Sequence, residues 1–183
     1  KMKIKDILNN GYENIFDLYS GDENFVSEAE GWEYYSSVPI NAPIAVGWFN
    51  DDNLFIVSID GLFIYDTSKK EIVFEDYYSE VLEGISQNNL RYLIKEKGIE
   101  VDIFGVRGGG GNLFTNDNKW SIRLVNLAWN IVVPILTSNR TRKFYFLKLE
   151  QLFYEGYKHV GFSNSEKYFV VMGDQGLDVY SFK

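Results

Sequence analysis

The sequence predicts one α+β domain with a mainly antiparallel sheet, Asp/Gly hairpins and two or three helices; the alternative is an all-β sandwich or a degenerate propeller. Three features predict it: an Asp-Gly pair between strand-like runs, helical spacing of the apolar residues before Gly98, and an internal repeat whose second copy lies near the C-terminus. The 183 residues fit one domain. We assign residues 2–183 to that domain, because Lys1 before Met2 indicates a tag remnant.

The clearest local signal is a hairpin. Residues 54–59 and 62–65 are rich in β-branched and aromatic residues, and Asp60-Gly61 separates them. An Asp-Gly pair favours a type I′ turn, in which both central residues have positive φ. A second turn at 67–70 leads into 71–74, so the sequence predicts a three-stranded meander.

Helices are predicted in three places. Apolar spacing in the first 35 or so residues indicates one or two short helices that break at Gly11 and Gly21. Residues 79–97 place their apolar side chains near one helical face, and Gly98 suits the residue after a helix end. Strands are predicted at 99–106, 120–127 and 131–136, and a strand turning into a short helix at 143–157.

An internal repeat closes the chain. Residues 47–66 align with 161–181 when Gln175 is treated as an insertion, and eight of the 20 pairs are identical. Both copies resemble the paired strands of a β-propeller blade, without its Trp-Asp or Gly-His signature. The copies lie 114 residues apart, which is far from a constant blade period. A true duplication and two independent hairpins therefore both stay open.

Composition excludes several classes of function. The chain has 26 acidic residues against 18 Lys and Arg, a net charge of −8, so it lacks the basic footprint of a nucleic-acid-binding protein. With no cysteine there is no disulfide, thiolate metal site or Cys nucleophile. His159, the only histidine, cannot form a two-histidine metal site, and no Gly-x-Ser-x-Gly motif is present. We expect no catalytic residue, no metal and no cofactor.

The expected location of the protein in the cell follows from the length of its apolar runs. The longest are far shorter than the roughly 18–20 residues that a membrane span needs, and the N-terminus has no apolar signal segment. We therefore expect a cytoplasmic protein that does not bind a membrane.

Charge is distributed unevenly along the chain. Residues 1–91 contain 17 acids and 6 bases, whereas residues 92–183 contain 9 acids and 12 bases. Solubility alone does not require such a charge difference between the two halves of the chain. An acidic face would attract a basic protein partner and speed its association. Exposed tyrosines next to acids are typical of protein-binding hot spots. The predicted contact residues are Asp51, Asp52, Asp66, Glu71, Glu75, Asp76, Tyr77 and Tyr78.

The most unusual segment is a run of four glycines after Arg107. Gly108, Gly109, Gly110 and Gly111 allow close approach of the backbone to a ligand or partner. No Lys-Ser/Thr follows, and the spacing is not Gly-x-Gly-x-x-Gly, so a phosphate loop is not indicated. Either the segment is a backbone contact loop with Arg107 as its charge, or it is a flexible or bulged connection between strands.

In size, acidity, aromatic content and lack of catalytic groups, the chain resembles bacterial immunity proteins of polymorphic and contact-dependent toxin systems. The resemblance is one of overall character, so no family residue is transferred to this sequence. It implies a non-catalytic inhibitor that binds a basic toxin domain such as a nuclease. The alternative is a carbohydrate- or peptide-binding module, and an enzyme is less favoured.

Overall fold

The protein is nearly all β. The computed structural model describes residues 25–50, 52–77, 80–95, 97–106, 111–128, 131–150, 156 and 158–183. Fifteen strands in these residues form four sheets, A to D, and antiparallel pairing dominates. The prediction of an α+β domain with two or three helices is wrong, because the described residues contain no α-helix and only short 3₁₀ turns such as Val81–Gly84.

Sheet C is a four-stranded meander, and it confirms and extends the predicted hairpins. Its strands follow one another in chain order: β4 (Pro43–Phe49), β5 (Asn53–Ser58), β6 (Gly61–Asp66) and β7 (Glu71–Tyr77). The turn between β5 and β6 differs from the prediction, because Ser58 pairs with Gly61 and the loop residues are Ile59 and Asp60. Neither loop residue has positive φ, so the turn is not type I′.

Sheet B joins the two ends of the described chain. Its order is β13-β14-β15-β3-β2, so the last strand, β15, pairs with an early one, β3. The strands are β2 (Glu28–Ala29), β3 (Trp32–Val38), β13 (His159–Phe162), β14 (Tyr168–Gly173) and β15 (Gly176–Phe182).

Sheets A and D complete the fold. Sheet A has the order β1-β12-β11-β10, with β1 (Phe25–Val26) parallel to β12 (Lys143–Leu147). The predicted strands at 120–127 and 131–136 are confirmed as β10 (Trp120–Ala128) and β11 (Ile131–Ser138). Among the described residues, sheet D consists of β8 (Arg91–Ile94) and β9 (Ile99–Asp102), and β9 is the first part of the strand predicted at 99–106.

The four sheets pack in series around three apolar clusters. Trp32, Leu136 and Phe169 are buried between sheets A and B. Val46, Ile56 and Val170 are buried between sheets B and C, and Phe55, Tyr92 and Val101 between sheets C and D. The central strands β5 and β14 of the two inner sheets contribute side chains to a cluster on either side, which explains why 54–57 and 169–172 are continuous apolar runs.

The helix predicted at 79–97 is replaced by a 3₁₀ turn and strand β8. Gly84 lies against the ring of Tyr92, and a Cβ at position 84 would be 2.3 Å from the Tyr92 Cζ atom. Ser86 and Asn88 accept hydrogen bonds from the backbone nitrogens of Arg91 and Leu90 at 3.0 and 3.1 Å. Such local side-chain bonds compete with helical ones, and burial of Tyr92 favours the strand.

The remaining helix predictions have two outcomes. The helices predicted before Gly21 lie outside the described residues, whereas residues 25–26, 28–29 and 32–35 form strands. The strand part of the 143–157 prediction is confirmed by β12. Residues 148–150 are not helical, and most of the rest of that segment lies outside the described residues.

The two copies of the repeat form equivalent meanders. The first copy covers the end of β4 with β5 and β6, and the second covers the end of β13 with β14 and β15. Both hairpins have two-residue loops, Ile59-Asp60 and Asp174-Gln175. The extra residue Gln175 therefore does not lengthen the loop. Instead, the pairing of β14 with β15 is shifted by one residue relative to the pairing of β5 with β6. Tyr65 pairs with Leu54, whereas the equivalent Tyr180 pairs with Phe169.

Candidate functional site: an acidic edge strand

Four of the predicted contact residues lie on one strand. Glu71, Glu75, Asp76 and Tyr77 belong to β7, and all seven residues of this strand are exposed. In the described part of the chain β7 pairs only with β6, so it is an outer strand of sheet C. An outer strand presents backbone N–H and C=O groups that can pair with another chain.

The neighbouring carboxylates Glu75 and Asp76 point to opposite faces of sheet C. Glu75 pairs with Phe63, which packs in the cluster between sheets B and C, whereas Asp76 pairs with Leu62, which packs in the cluster between sheets C and D. A partner that lies flat on one face of the sheet can reach only one of them. A partner that adds along the edge can contact both.

Tyr77 and Glu75 share the face towards sheet B and are held together. The Tyr77 hydroxyl donates a hydrogen bond of 2.9 Å to the Glu75 Oε2 atom. The pKa of Tyr77 is raised, first by this hydrogen bond and then by burial and by the charges of Glu75 and Asp60. The Tyr77 ring also packs edge-on against Phe63, with ring centroids 5.4 Å apart. This ring contact orients an otherwise exposed side chain.

Apolar side chains accompany the acids along β7. Ile72, Val73 and Phe74 are 38%, 45% and 36% exposed. Ile72 pairs with Tyr65 and Phe74 with Ile64, so Val73 is the extra residue of a β-bulge. Because a bulge interrupts regular pairing, the regular part of the edge runs from Phe74 to Tyr77. The sequence did not reveal this exposure, since an apolar run reads equally well as a buried strand.

A cavity of about 480 Å³ lies beside β7, on the face towards sheet D. Its apolar wall includes Phe74, Leu62, Ile64 and Tyr92, and its rim carries Asp76, Glu80 and Glu83 together with Lys95 and Lys97. Lys95 forms an ion pair of 2.9 Å with Glu83, and the Lys97 ammonium lies 5.1 Å from the centroid of the Phe74 ring. The cavity therefore offers apolar walls with charged groups at its rim.

Asp66 fixes the turn between β6 and β7. Its carboxylate accepts hydrogen bonds from the backbone nitrogens of Ser68 and Lys69 at 3.0 and 3.1 Å, and from the Ser68 hydroxyl at 2.6 Å. The Ser68 hydroxyl bond is the largest cause that lowers the pKa of Asp66 to about 2. The Lys69 ammonium forms an ion pair with the same carboxylate at 3.1 Å.

Asp52 is held by two hydroxyl groups. The Ser165 hydroxyl donates to its carboxylate, and the Thr67 hydroxyl donates to its backbone carbonyl at 2.7 Å. Asp52 thus connects the turn before β5 with the turn after β13. Asp51 and Tyr78, the other two predicted contact residues, lie outside the described residues.

Gly111 is the one residue of the predicted glycine loop that the structure describes, since Arg107, Gly108, Gly109 and Gly110 lie outside the described residues. A Cβ at position 111 would be 2.2 Å from the backbone carbonyl oxygen of Val160. The next residue, Asn112, accepts a 2.8 Å hydrogen bond from the Phe162 backbone nitrogen. Glycine at 111 is therefore explained by close approach to β13 of the same chain.

His159, the only histidine of the sequence, lies at the start of β13. His159 is half-buried, and burial lowers its pKa while the charge of Asp174 opposes that shift. Across the described ranges, no three His, Asp or Glu side chains form a group that could hold a metal ion. No helix in the same ranges is long and apolar enough to cross a membrane.

No protein-family model matches the sequence, and a search of the curated proteins found no match.

Proposed function

We propose that this protein is a non-catalytic binding module whose acidic edge strand β7 pairs with an extended segment of a basic partner. The observation that carries the proposal is the position of Glu75 and Asp76, which are exposed on opposite faces of one edge strand. Strand addition is the mode of recognition that brings a partner into contact with both faces, because side chains of the added strand alternate between them.

The apolar residues of β7 support an occupied edge. Natural proteins protect exposed edges with short strands, bulges and charges, because long apolar edges aggregate. β7 keeps a bulge at Val73 and three carboxylates but exposes Ile72, Val73 and Phe74. Its regular part suits a short partner strand, and the cavity next to Phe74 can receive one apolar side chain of that partner.

Charge selects the kind of partner. Pairing of β7 with a second copy would bring the carboxylates of two acidic strands together, which is unfavourable. A basic strand would instead place Lys or Arg opposite Glu71, Glu75 and Asp76. The resemblance to immunity proteins supports a toxin domain with a basic cleft as this partner, which the protein would neutralise by occupying the cleft.

The test compares two double variants with the same change in net charge. Glu75→Lys with Asp76→Lys alters the edge, whereas Glu28→Lys with Asp174→Lys alters exposed acids on β2 and in the loop between β14 and β15. Pull-downs from the native bacterial lysate at low and high salt identify basic partners that bind stoichiometrically. The captured toxin domain is then co-expressed with each variant, and growth and association kinetics are measured.

We expect the edge variant to slow association at low salt about tenfold or more, to flatten its salt dependence and to lose protection of growth. The control variant should keep both properties of the wild type. Equal association rates for the two variants would exclude β7 as the contact strand. A partner whose binding is insensitive to salt would exclude the electrostatic part of the proposal.

A further inference from the structure

The fourth strands of the two repeats, β3 and β7, are equivalent. Each carries a β-bulge at the same place in its pairing, with Tyr35 as the extra residue of β3 and Val73 as that of β7. The residues before these bulges, Tyr34 and Ile72, pair with the equivalent tyrosines of β15 and β6. Sheet B therefore shows how a further strand can pair with the outer edge of sheet C.

In sheet B the outer edge of β3 is occupied by β2. The two strands are antiparallel, with Glu28 opposite Glu33. The Tyr34 backbone nitrogen donates a hydrogen bond of 2.8 Å to the carbonyl oxygen of Ser27, the residue before β2. A short extended segment thus pairs with the part of β3 that precedes its bulge.

The equivalent part of β7 has no such neighbour in the described part of the chain. Its residues are Glu71, which corresponds to Glu33, and Ile72, which corresponds to Tyr34. Both side chains are exposed, that of Ile72 by 38%. Because the register is the same, the backbone N–H of Ile72 points away from β6, as that of Tyr34 points away from β15. This end of β7 therefore presents an outward backbone donor beside an exposed apolar side chain.

Charge distinguishes the two edges. The Lys183 ammonium forms an ion pair of 2.6 Å with Glu33, which permits the acidic Glu28 to lie opposite. In the alignment of the repeats Ser68 takes the place of Lys183. Glu71 forms no ion pair within the described ranges. An acid on an added strand would therefore face Glu71 without a base to offset their repulsion.

The two lysines of the turn before β7 are already bound. Lys69 forms an ion pair of 3.1 Å with Asp66. Lys70 donates a hydrogen bond of 2.9 Å to the Tyr35 carbonyl oxygen, and its ammonium lies 3.7 Å from the centroid of the Tyr35 ring. A base that pairs with Glu71 therefore comes from the added strand itself.

We infer that the partner segment of the proposed function, on which this inference rests, runs antiparallel to β7 and places a Lys or Arg opposite Glu71. A carbonyl oxygen of the segment accepts the Ile72 N–H, and an apolar side chain of the segment packs on the side chain of Ile72. Towards its N-terminus the segment continues past the bulge to Glu75 and Asp76. β2 does not extend so far along β3, because the preceding strand β1 pairs with sheet A, a constraint that a separate chain does not have.

The direction is tested with the acetylated and amidated peptide Lys-Val-Lys-Val-Lys-Val-Lys at millimolar concentration. Its side chains have the same order in both directions, so their order favours neither orientation. A nitroxide label is attached through a cysteine added at one end of the peptide or at the other, and broadening of the backbone amide signals of the isotope-labelled protein is measured. The two ends of the seven-residue strand β7 are roughly 20 Å apart, so each label acts mainly on the nearer end.

We expect the N-terminal label to broaden the amides of Asp76 and Tyr77, and the C-terminal label to broaden those of Glu71 and Ile72. The unlabelled peptide should also slow hydrogen exchange of the Ile72 amide. The reverse pattern of broadening, or an unchanged exchange rate at Ile72 while β7 is broadened, would overturn the inference but not the proposed function. If neither label broadened any amide of β7, the proposed function would fail as well.

Two single variants test the charge. Glu71→Gln and Glu28→Gln each remove one exposed carboxylate, but only Glu71 lies on β7. Glu71→Gln should weaken peptide binding about twofold to fivefold, whereas Glu28→Gln should bind the peptide as the wild type does. Equal affinities of the two variants would overturn the assignment of a base opposite Glu71.

Discussion

The backbone carbonyl oxygen of Asp76 lies 2.1 Å from the position that a Cβ on Gly61 would occupy. Gly176, the equivalent glycine of the second repeat, has the same relationship with the carbonyl oxygen of Val38, at 2.4 Å. In both copies the glycine begins the third strand of a meander, and the close carbonyl belongs to the fourth strand, β7 or β3. The fourth strands therefore approach the two hairpins equivalently, although they come from different parts of the sequence.

Alanine at either glycine should destabilise the protein. Gly61→Ala and Gly176→Ala each force a backbone shift, which costs about 1–3 kcal/mol or more in a packed structure. Gly98→Ala is the control, because Gly98 has a φ of +62° but nothing lies within 4 Å of an added Cβ. Urea unfolding should show a larger loss for the two repeat glycines than the roughly 1 kcal/mol expected from backbone conformation alone. Equal losses at all three positions would mean that the strand contacts are unimportant.

The sequence predicted the hairpins well because their signals are local. Asp60-Gly61 separates two β-branched runs, and the resulting pair of strands needs no distant partner to be recognised. The repeat was also visible, and the structure confirms equivalent strands in both copies. The predicted turn type was wrong, because Gly61 lies in strand β6 rather than in the loop, and glycine there is explained by close contact with β7 and by its φ of +156°.

Tertiary contacts explain what the sequence did not predict. The helical spacing of residues 79–97 gave way to β8, because Tyr92 is buried against Phe55 and Gly84. The uneven charge distribution predicts the acids of β7 as contact residues. Their division between the two faces of sheet C, however, follows from the register of β7 with β6.

Acid should weaken the turn between β6 and β7. The pKa of Asp66 is about 2 in the folded protein, below its ordinary value of 3.8, so this carboxylate stabilises the fold above pH 3.8 and loses its effect as the pH falls towards 2. Asp66→Asn removes that dependence. Urea midpoints between pH 5 and pH 2 should fall less steeply for the variant than for the wild type. Parallel curves would show that Asp66 has the same pKa in both states.

Alkali should weaken the contact between Tyr145 and Glu30. The Tyr145 hydroxyl donates a 2.7 Å hydrogen bond to the Glu30 carboxylate, and burial followed by this hydrogen bond raises the pKa of Tyr145 to about 12. A raised pKa means that this tyrosine stabilises the fold below pH 10 and loses its effect as the pH rises towards 12. Tyr145→Phe should reduce the alkaline dependence of urea midpoints. It should also remove one late step from the tyrosinate absorbance titration, and an unchanged titration curve would contradict the assignment.

A variant of Phe74 separates the apolar contribution of β7 to partner binding from its electrostatic contribution. Its ring is 36% exposed and lines the cavity beside Asp76, so we expect it to act after encounter, when the partner's apolar side chain is seated. Phe74→Ala should therefore raise the dissociation rate of the partner, whereas lysine at 75 and 76 should mainly lower the association rate.

Phe144→Ala is the matched control for this prediction, because Phe144 is 62% exposed on β12 and lies outside that cavity. Surface plasmon resonance with the captured partner measures both rates for the three variants. A change in association alone for Phe74→Ala would mean that the cavity is not used. An equal increase in the dissociation rate for Phe144→Ala would mean that loss of either exposed ring has the same effect on partner binding. That result would exclude a specific role of the β7 edge.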